Sequence, residues 1–174
     1  KNLVEKRKVS HSFIFVSRDQ LDLSRLKDIR NYFKDHEFDL IINCAAFTKV
    51  DKAELDEKQA NLINHLAVKQ IAEIAQSNNI KLIHISTDFV FDGLKHQLYF
   101  EEDIPSPLNV YGKTKLAGEN AILSIMKTNA SIIRTSWVYS EYGNNFVDTI
   151  LRLIQKGVDL NIVSNQIGSP TYAN

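Results

Sequence analysis

Short apolar runs that alternate with segments of helical period constrain this chain more than any other feature. Phe13–Val16, Leu40–Cys44, Lys81–Ser86 and Ser131–Ser136 each read as a strand, and Leu160–Val163 as a last short one. Between them, Leu26, Ile29, Tyr32 and Phe33 recur at helical spacing behind Ser24, a candidate N-cap. A long helix is expected over roughly Glu57–Gln76, with Ile63, Leu66, Ala67, Ile71, Ile74 and Ala75 along one face. Further helices are expected over Tyr111–Met126 and near Asn145–Gln155, and the opening Lys1–Val9 reads as the tail of another. Thr87–Asn109 is polar, holds Pro105 and Pro107, and reads as a surface loop. This alternation predicts a parallel sheet with helices on both faces, an α/β, doubly wound architecture. Such an architecture hosts many chemistries and names none.

Composition removes several function classes. The 174 residues carry 21 Lys+Arg against 21 Asp+Glu, whereas a dedicated nucleic-acid binder carries a basic surplus. The single cysteine, Cys44, cannot form an internal disulfide, which predicts a reducing, cytoplasmic setting. No apolar run approaches the ~18 residues of a membrane span. His11, His36, His65, His84 and His96 are scattered without metal-ligand spacing, so no metal ligand is assigned. There is no G-x-S-x-G elbow and no P-loop, and hydrolase and kinase readings have no support.

Ligands of open α/β sheets sit beyond the carboxyl ends of the strands. The residues there are Ser17–Asp22, then Ala45-Ala46-Phe47-Thr48, then Ser86-Thr87-Asp88, then Trp137-Val138-Tyr139. Tyr111 and Lys115 add the sharpest pair, since residues four apart on a helix share a face. A lysine ammonium beside a phenol favours the phenolate and lowers a pKa that is otherwise about 10. That would make the tyrosine a proton donor near neutral pH.

Five blocks then resemble the dTDP-4-dehydrorhamnose reductase family, a branch of the extended short-chain dehydrogenase/reductases. They are NCAAFTKVDKAE (Asn43–Glu54), STDFVFDG (Ser86–Gly93), NVYGKTKLAGE (Asn109–Glu119), RTSWVYSEYGNNF (Arg134–Phe146) and QIGSPT (Gln166–Thr171). The resemblance implies a Rossmann-like, NAD(P)-binding domain over residues 1–174, with a substrate-binding region beginning near 164–174. It implies reduction of the 4-keto group of dTDP-4-dehydrorhamnose to dTDP-L-rhamnose, for cell-envelope polysaccharide. Thr87, Tyr111 and Lys115 match the catalytic set: Tyr111 protonates the nascent alkoxide, Thr87 bonds the carbonyl, and Lys115 holds the cofactor ribose and tunes Tyr111. Asp22 and Leu23 match an adenine-side contact, and Ala45 and Ala46 match backbone facing the cofactor, where Tyr111 and Lys115 also bind. Thr48, Val50, Thr87 and Trp137 match positions lining the sugar-nucleotide site.

The departures carry their own expectations. The family begins with a strand and a glycine-rich turn that cradles a pyrophosphate; here the first glycine is Gly93. The chain is therefore expected to be a fragment lacking the first strand and most of the C-terminal substrate lobe, and to bind cofactor poorly. Phe89 stands where the family usually has Tyr, and Phe47 where it has a more polar ring. NADPH and NADH both remain open, since Arg18 suits a 2′-phosphate while Asp19 or Asp22 suits a free hydroxyl. Asp22 reads equally as a turn former. A Mg²⁺ requirement and a homodimer, both found in the family, are left open. The rival reading is a non-catalytic regulatory subunit resembling that of methionine adenosyltransferase, and a third is a reductase or epimerase of another nucleotide sugar. Trp137–Phe146 favours the reductase.

Overall fold

Lys81–Thr87 (KLIHIST) is the strand on which the rest is assembled. Its alternate residues Leu82, His84 and Ser86 are buried, as period-2 geometry requires of a strand whose one face is covered. The structure, a computed structural model, describes residues 11–163 and 166–173. In chain order these form α1 (Leu26–Lys34), β1 (Leu40–Asn43), α2 (Val50–Leu55), α3 (Glu57–Asn61), a π turn (Leu62–Leu66) and α4 (Ala67–Ser77). There follow β2 (Lys81–Thr87), a 3₁₀ turn (Asp88–Val90), α5 (Val110–Ile125), β3 (Ala130–Thr135), β4 (Val138–Tyr139), α6 (Phe146–Gln155) and β5 (Thr171–Tyr172). The chain divides into two units: Ile14–Arg134, and Thr135–Asn174 together with Lys1–Phe13.

In the larger unit the sheet runs β1-β2-β3, and β1 pairs with β2 in parallel, Asn43 opposite His84. Ile29 of α1, Ala67, Val68, Ile71, Ala72 and Ala75 of α4, Leu82 of β2, and Ile122 with Met126 around α5 form one buried cluster. Ile41 and Ile132 lean on it from β1 and β3. The other face of those strands leaves Leu40, Ile42 and Ile133 exposed. The α/β parallel-sheet expectation therefore holds, with the helices α1, α4 and α5 on the face that carries Leu82.

The long helix expected over Glu57–Gln76 is interrupted. Leu62–Leu66 widens into a π turn that presents the buried Asn64 toward α5, a device often found where a helix must place a functional side chain. Asn64 clamps the loop after β1, accepting from Phe47 N–H (2.8 Å) and donating to Phe47 C=O (3.1 Å) and Thr114 Oγ1 (3.1 Å). α5 comes so close that a Cβ on Gly118 would lie 2.2 Å from the Asn64 carbonyl oxygen, and one on Gly112 2.1 Å from that of Phe89. The start of α5 is held twice: Asn109 Oδ1 accepts from Gly112 N–H (2.7 Å), and Glu54 of α2 accepts from Val110 N–H (2.7 Å).

In the smaller unit β4 pairs in parallel with β5, closed by Thr171 N–H to Ser136 C=O (3.0 Å) and Ala173 N–H to Tyr139 C=O (2.9 Å). Asn145 caps α6 by accepting from Asp148 N–H at 2.9 Å.

Three further expectations are corrected. Among the described residues Phe13–Val16 belongs to neither sheet, and its apolar side chains are exposed. Leu160–Val163 is irregular, with Ile162 and Val163 exposed. Ser24 does not cap α1: the N-cap is Arg25, without a side-chain bond, and Ser24 N–H instead donates to Asp22 Oδ1 (2.9 Å). α2, β4 and β5 were not foreseen; each is too short to show a period. The opening Lys1–Val9 helix lies outside the described residues.

The close approach at Gly118 predicts that Gly118→Ala lowers stability by about 1–3 kcal/mol, read as a lower urea midpoint. An unchanged midpoint would mean that α5 does not pack there as described.

Candidate active site

Thr87 and Tyr111 meet because the strand end and the helix start are held together through Gly112. Thr87, 5 % exposed, ends β2, and its hydroxyl accepts from Phe89 N–H (3.2 Å), donates to Asp88 Oδ1 (3.1 Å) and lies near enough to the Tyr111 phenol to favour its ionised form. Tyr111, in the first turn of α5, sits edge-on to Phe89 (centroids 5.6 Å apart, 72°) over Ala53, Ala60, Phe47 and Val50. One turn on, Lys115 is only 1 % exposed. Its Nζ donates to Ile85 C=O (2.7 Å) and lies 3.2 Å from His84 Nε2. His84 Nδ1 in turn lies 3.1 Å from Asn43 Nδ2, whose own Oδ1 accepts from Ala45 N–H at 3.1 Å.

A second buried polar group braces the same helix. Glu119, 1 % exposed, accepts from Ser86 Oγ and from Arg134 of β3, with Nη2 at 2.7 Å and Nε at 3.2 Å from both oxygens. The Arg134 guanidinium lies 5.0 Å over the Phe91 ring. Among the described residues, no buried side-chain nitrogen or oxygen lacks a partner.

The electrostatics depart from the sequence expectation. Burial first, then Asp88, push the Tyr111 phenol above its ordinary range, opposed only by the Thr87 bond; Lys115 is not a cause. The lysine is itself pushed down to about 8, by burial, against Glu119 and Cys44, which pull it up. Burial, then Lys115, push His84 down to about 3. Cys44, exposed just after β1, has its thiol raised by partial desolvation, against Lys115, which lowers it.

The remaining candidates divide. Ala45 and Ala46 follow β1 with at most a methyl group between backbone and solvent, and Val50 opens α2 against the Tyr111 cluster, with Thr48 exposed beside it. Asp22 forms the turn with Ser24, which together with Arg18 (3.6 Å) holds its carboxyl below the usual range. Leu23 leans on the α1–α4 core. Trp137 belongs to the smaller unit, at φ +47°, with its ring 6.2 Å from that of Phe146 and against Gly168. Sequence reasoning missed Asn43, His84, Glu119 and Arg134. The available signal was polar residues at inward positions, such as His84 between Leu82 and Ser86. Among the described residues no three His, Cys, Asp or Glu side chains cluster as metal ligands, and no helix is long and apolar enough to cross a membrane.

The whole chain, residues 1–174, matches the family described as RmlD substrate binding domain. It is 43% identical over 159 residues to dTDP-4-dehydrorhamnose reductase of Sinorhizobium fredii, covering 91% of this chain and 53% of that protein. The crystal structure of a dTDP-4-dehydrorhamnose reductase ortholog from Clostridium acetobutylicum superimposes with a TM-score of 0.89 at 35% identity, over 97% of this chain and 59% of that one. The enzyme of the same name from Bacillus anthracis, solved in complex with NADP, gives a TM-score of 0.85 at 39% identity, over 90% and 56%. The chain thus spans about half the length of the curated relatives it matches.

Two measurements check this geometry. An ordinary histidine takes up its proton as pH falls through 6.5, whereas folded His84 waits until about 3. The stability held in its uncharged ring is therefore complete above pH 6.5 and is lost as pH falls from there to about 3. His84→Gln will lack that part of the acid slope; identical slopes would contradict the assignment. Arg134→Met will cost about 3 kcal/mol by leaving the Glu119 carboxylate buried and unpaired. Adding Glu119→Gln will recover part of that loss, and simple additivity would dissolve the pair.

Proposed function

The chain belongs to the RmlD substrate binding domain family, and on that premise we propose that the complete protein reduces the 4-keto group of a dTDP-linked 4-keto-6-deoxy sugar, dTDP-4-dehydrorhamnose, with NADPH or NADH as reductant. The observation that carries the reading is Tyr111 packed against the turn that follows Thr87 at a strand end, one helical turn from a buried lysine.

The residues present suit a nicotinamide nucleotide. Ala45 and Ala46 leave room for a flat ligand against the backbone after β1, and the Tyr111 hydroxyl is assigned to the cofactor ribose, with the buried Lys115 one helical turn beneath it. When bound, that cofactor supplies the hydride. Thr87 then orients the sugar carbonyl through its hydroxyl. Tyr111 O–H stands ready to protonate the developing alkoxide at C4, so that the O–H bond of the phenol breaks as that of the sugar alcohol forms. Phe89 and Phe47, apolar where the family places polar rings, pack against the Tyr111 ring. Thr48, Val50 and Trp137 are assigned to the sugar-nucleotide side, and Asp22 and Leu23 to the adenine side. Residues 1–174 are assigned to the nucleotide-binding domain and the beginning of the substrate region.

Tyr111→Phe in the complete protein removes the proton donor while leaving the ring edge-on to Phe89. Turnover of dTDP-4-dehydrorhamnose, followed as NADPH oxidation, is expected to fall by a factor of about 10²–10⁴, with the unfolding midpoint nearly unchanged. Normal turnover would remove Tyr111 from the reaction. A wild-type protein that binds NADPH without turning over would support the regulatory-subunit or other-sugar reading.

A further inference from the structure

The hydrogen-bond directions around Lys115 leave one self-consistent assignment. Asn43 Oδ1 faces the Ala45 N–H at 3.1 Å, and a backbone N–H must meet an acceptor, so the amide nitrogen is the atom directed at His84 Nδ1, 3.1 Å away. An amide NH₂ only donates, so Nδ1 carries the lone pair. The ring is uncharged, which puts its proton on Nε2. That N–H faces Lys115 Nζ at 3.2 Å. Nζ must accept there while donating to Ile85 C=O at 2.7 Å, and only the free amine has a lone pair to do so. An ammonium in the same seat would set two donors against each other, until the imidazole moved its proton to Nδ1 and Asn43 gave up one of its two partners.

We propose that Asn43 and His84 are positioning residues that set the balance between amine and ammonium at Lys115. The inference deepens the reductase reading, since Lys115 lies one helical turn from Tyr111 in the same proposed site. The ionisable groups set against Lys115 are His84 from β2, Cys44 from the end of β1 and Glu119 from its own helix. The Glu119 charge is shared with Arg134 of β3. From the 3₁₀ turn, Asp88 acts on Tyr111; the π turn contributes the uncharged Asn64 to Thr114. Burial and this fixed donor pattern act in the same direction, consistent with a Lys115 that loses its proton at about 8.

Asn43→Asp is the isosteric test. One carboxylate oxygen keeps the Ala45 N–H, and the other now accepts from Nδ1–H. The ring proton moves to Nδ1, Nε2 becomes an acceptor, and the ammonium is favoured. With lysine labelled at the ε-carbon and the Lys115 resonance assigned by its loss in Lys115→Met, wild-type Lys115 is expected to titrate at about 8. In Asn43→Asp it is expected at least about one unit higher. His84→Gln, whose side-chain oxygen also accepts from the ammonium, is expected to shift in the same direction. Wild-type titration near the ordinary lysine value, or folded variants with no shift, would overturn the proposal. The expected titrations without turnover would leave the proposal standing and remove the reductase reading alone.

Discussion

A lysine buried to 1 % exposure is the constraint on which this structure depends. A buried amine needs partners for every polar atom, and those partners must be rigid. Lys115 finds them at the end of β2, in the Ile85 carbonyl and the His84 ring, and through His84 in Asn43 of β1. The register of β1 against β2, which sets Asn43 opposite His84, is therefore part of the site. The same seat requires α5 to lie close, which explains the two glycines on its inner side and the π turn that meets Gly118 with a carbonyl oxygen.

Glu119 and Arg134 complete this polar layer one turn further along α5. The bidentate Arg134 contact lets a carboxylate stay buried between helix and sheet, and Ser86, the residue before Thr87, donates to it as well. Strand end, helix start and β3 are thus tied by directional bonds in addition to the apolar packing of Ile29, Ile71, Leu82 and Ile122. Directional bonds fix side-chain positions more narrowly than apolar contact does, and a proton donor needs that precision.

Much of this was legible in the sequence because period and chemistry coincided. Lys81–Ser86 showed itself as a short apolar run and Tyr111–Met126 by its helical pattern, each within a residue of its observed bounds. Thr87, Tyr111 and Lys115 stood out by residue type and spacing. Phe13–Val16 and Leu160–Val163 misled because apolar composition alone does not supply a ladder. The π turn left no trace, since one widened turn barely disturbs a 3.6-residue period. His84 looked isolated because its partners, Asn43 and Lys115, are 41 and 31 residues away and meet it only in the fold. The lowered phenol expected from a nearby lysine also failed, because spacing cannot show that the amine is desolvated and directed at an imidazole.

A parallel α/β frame carries a phenol, a hydroxyl and a buried amine at its carboxyl edge, in a chain 43% identical to an enzyme named dTDP-4-dehydrorhamnose reductase. In the proposed reaction hydride reaches C4 of the dTDP-linked keto sugar while the phenol supplies the proton. The direct measurement is turnover of dTDP-4-dehydrorhamnose by the complete protein with NADPH deuterated at the nicotinamide C4, followed by mass spectrometry and proton NMR of the product. The account predicts one deuterium at C4 of dTDP-rhamnose. Cofactor binding without labelled product would contradict it.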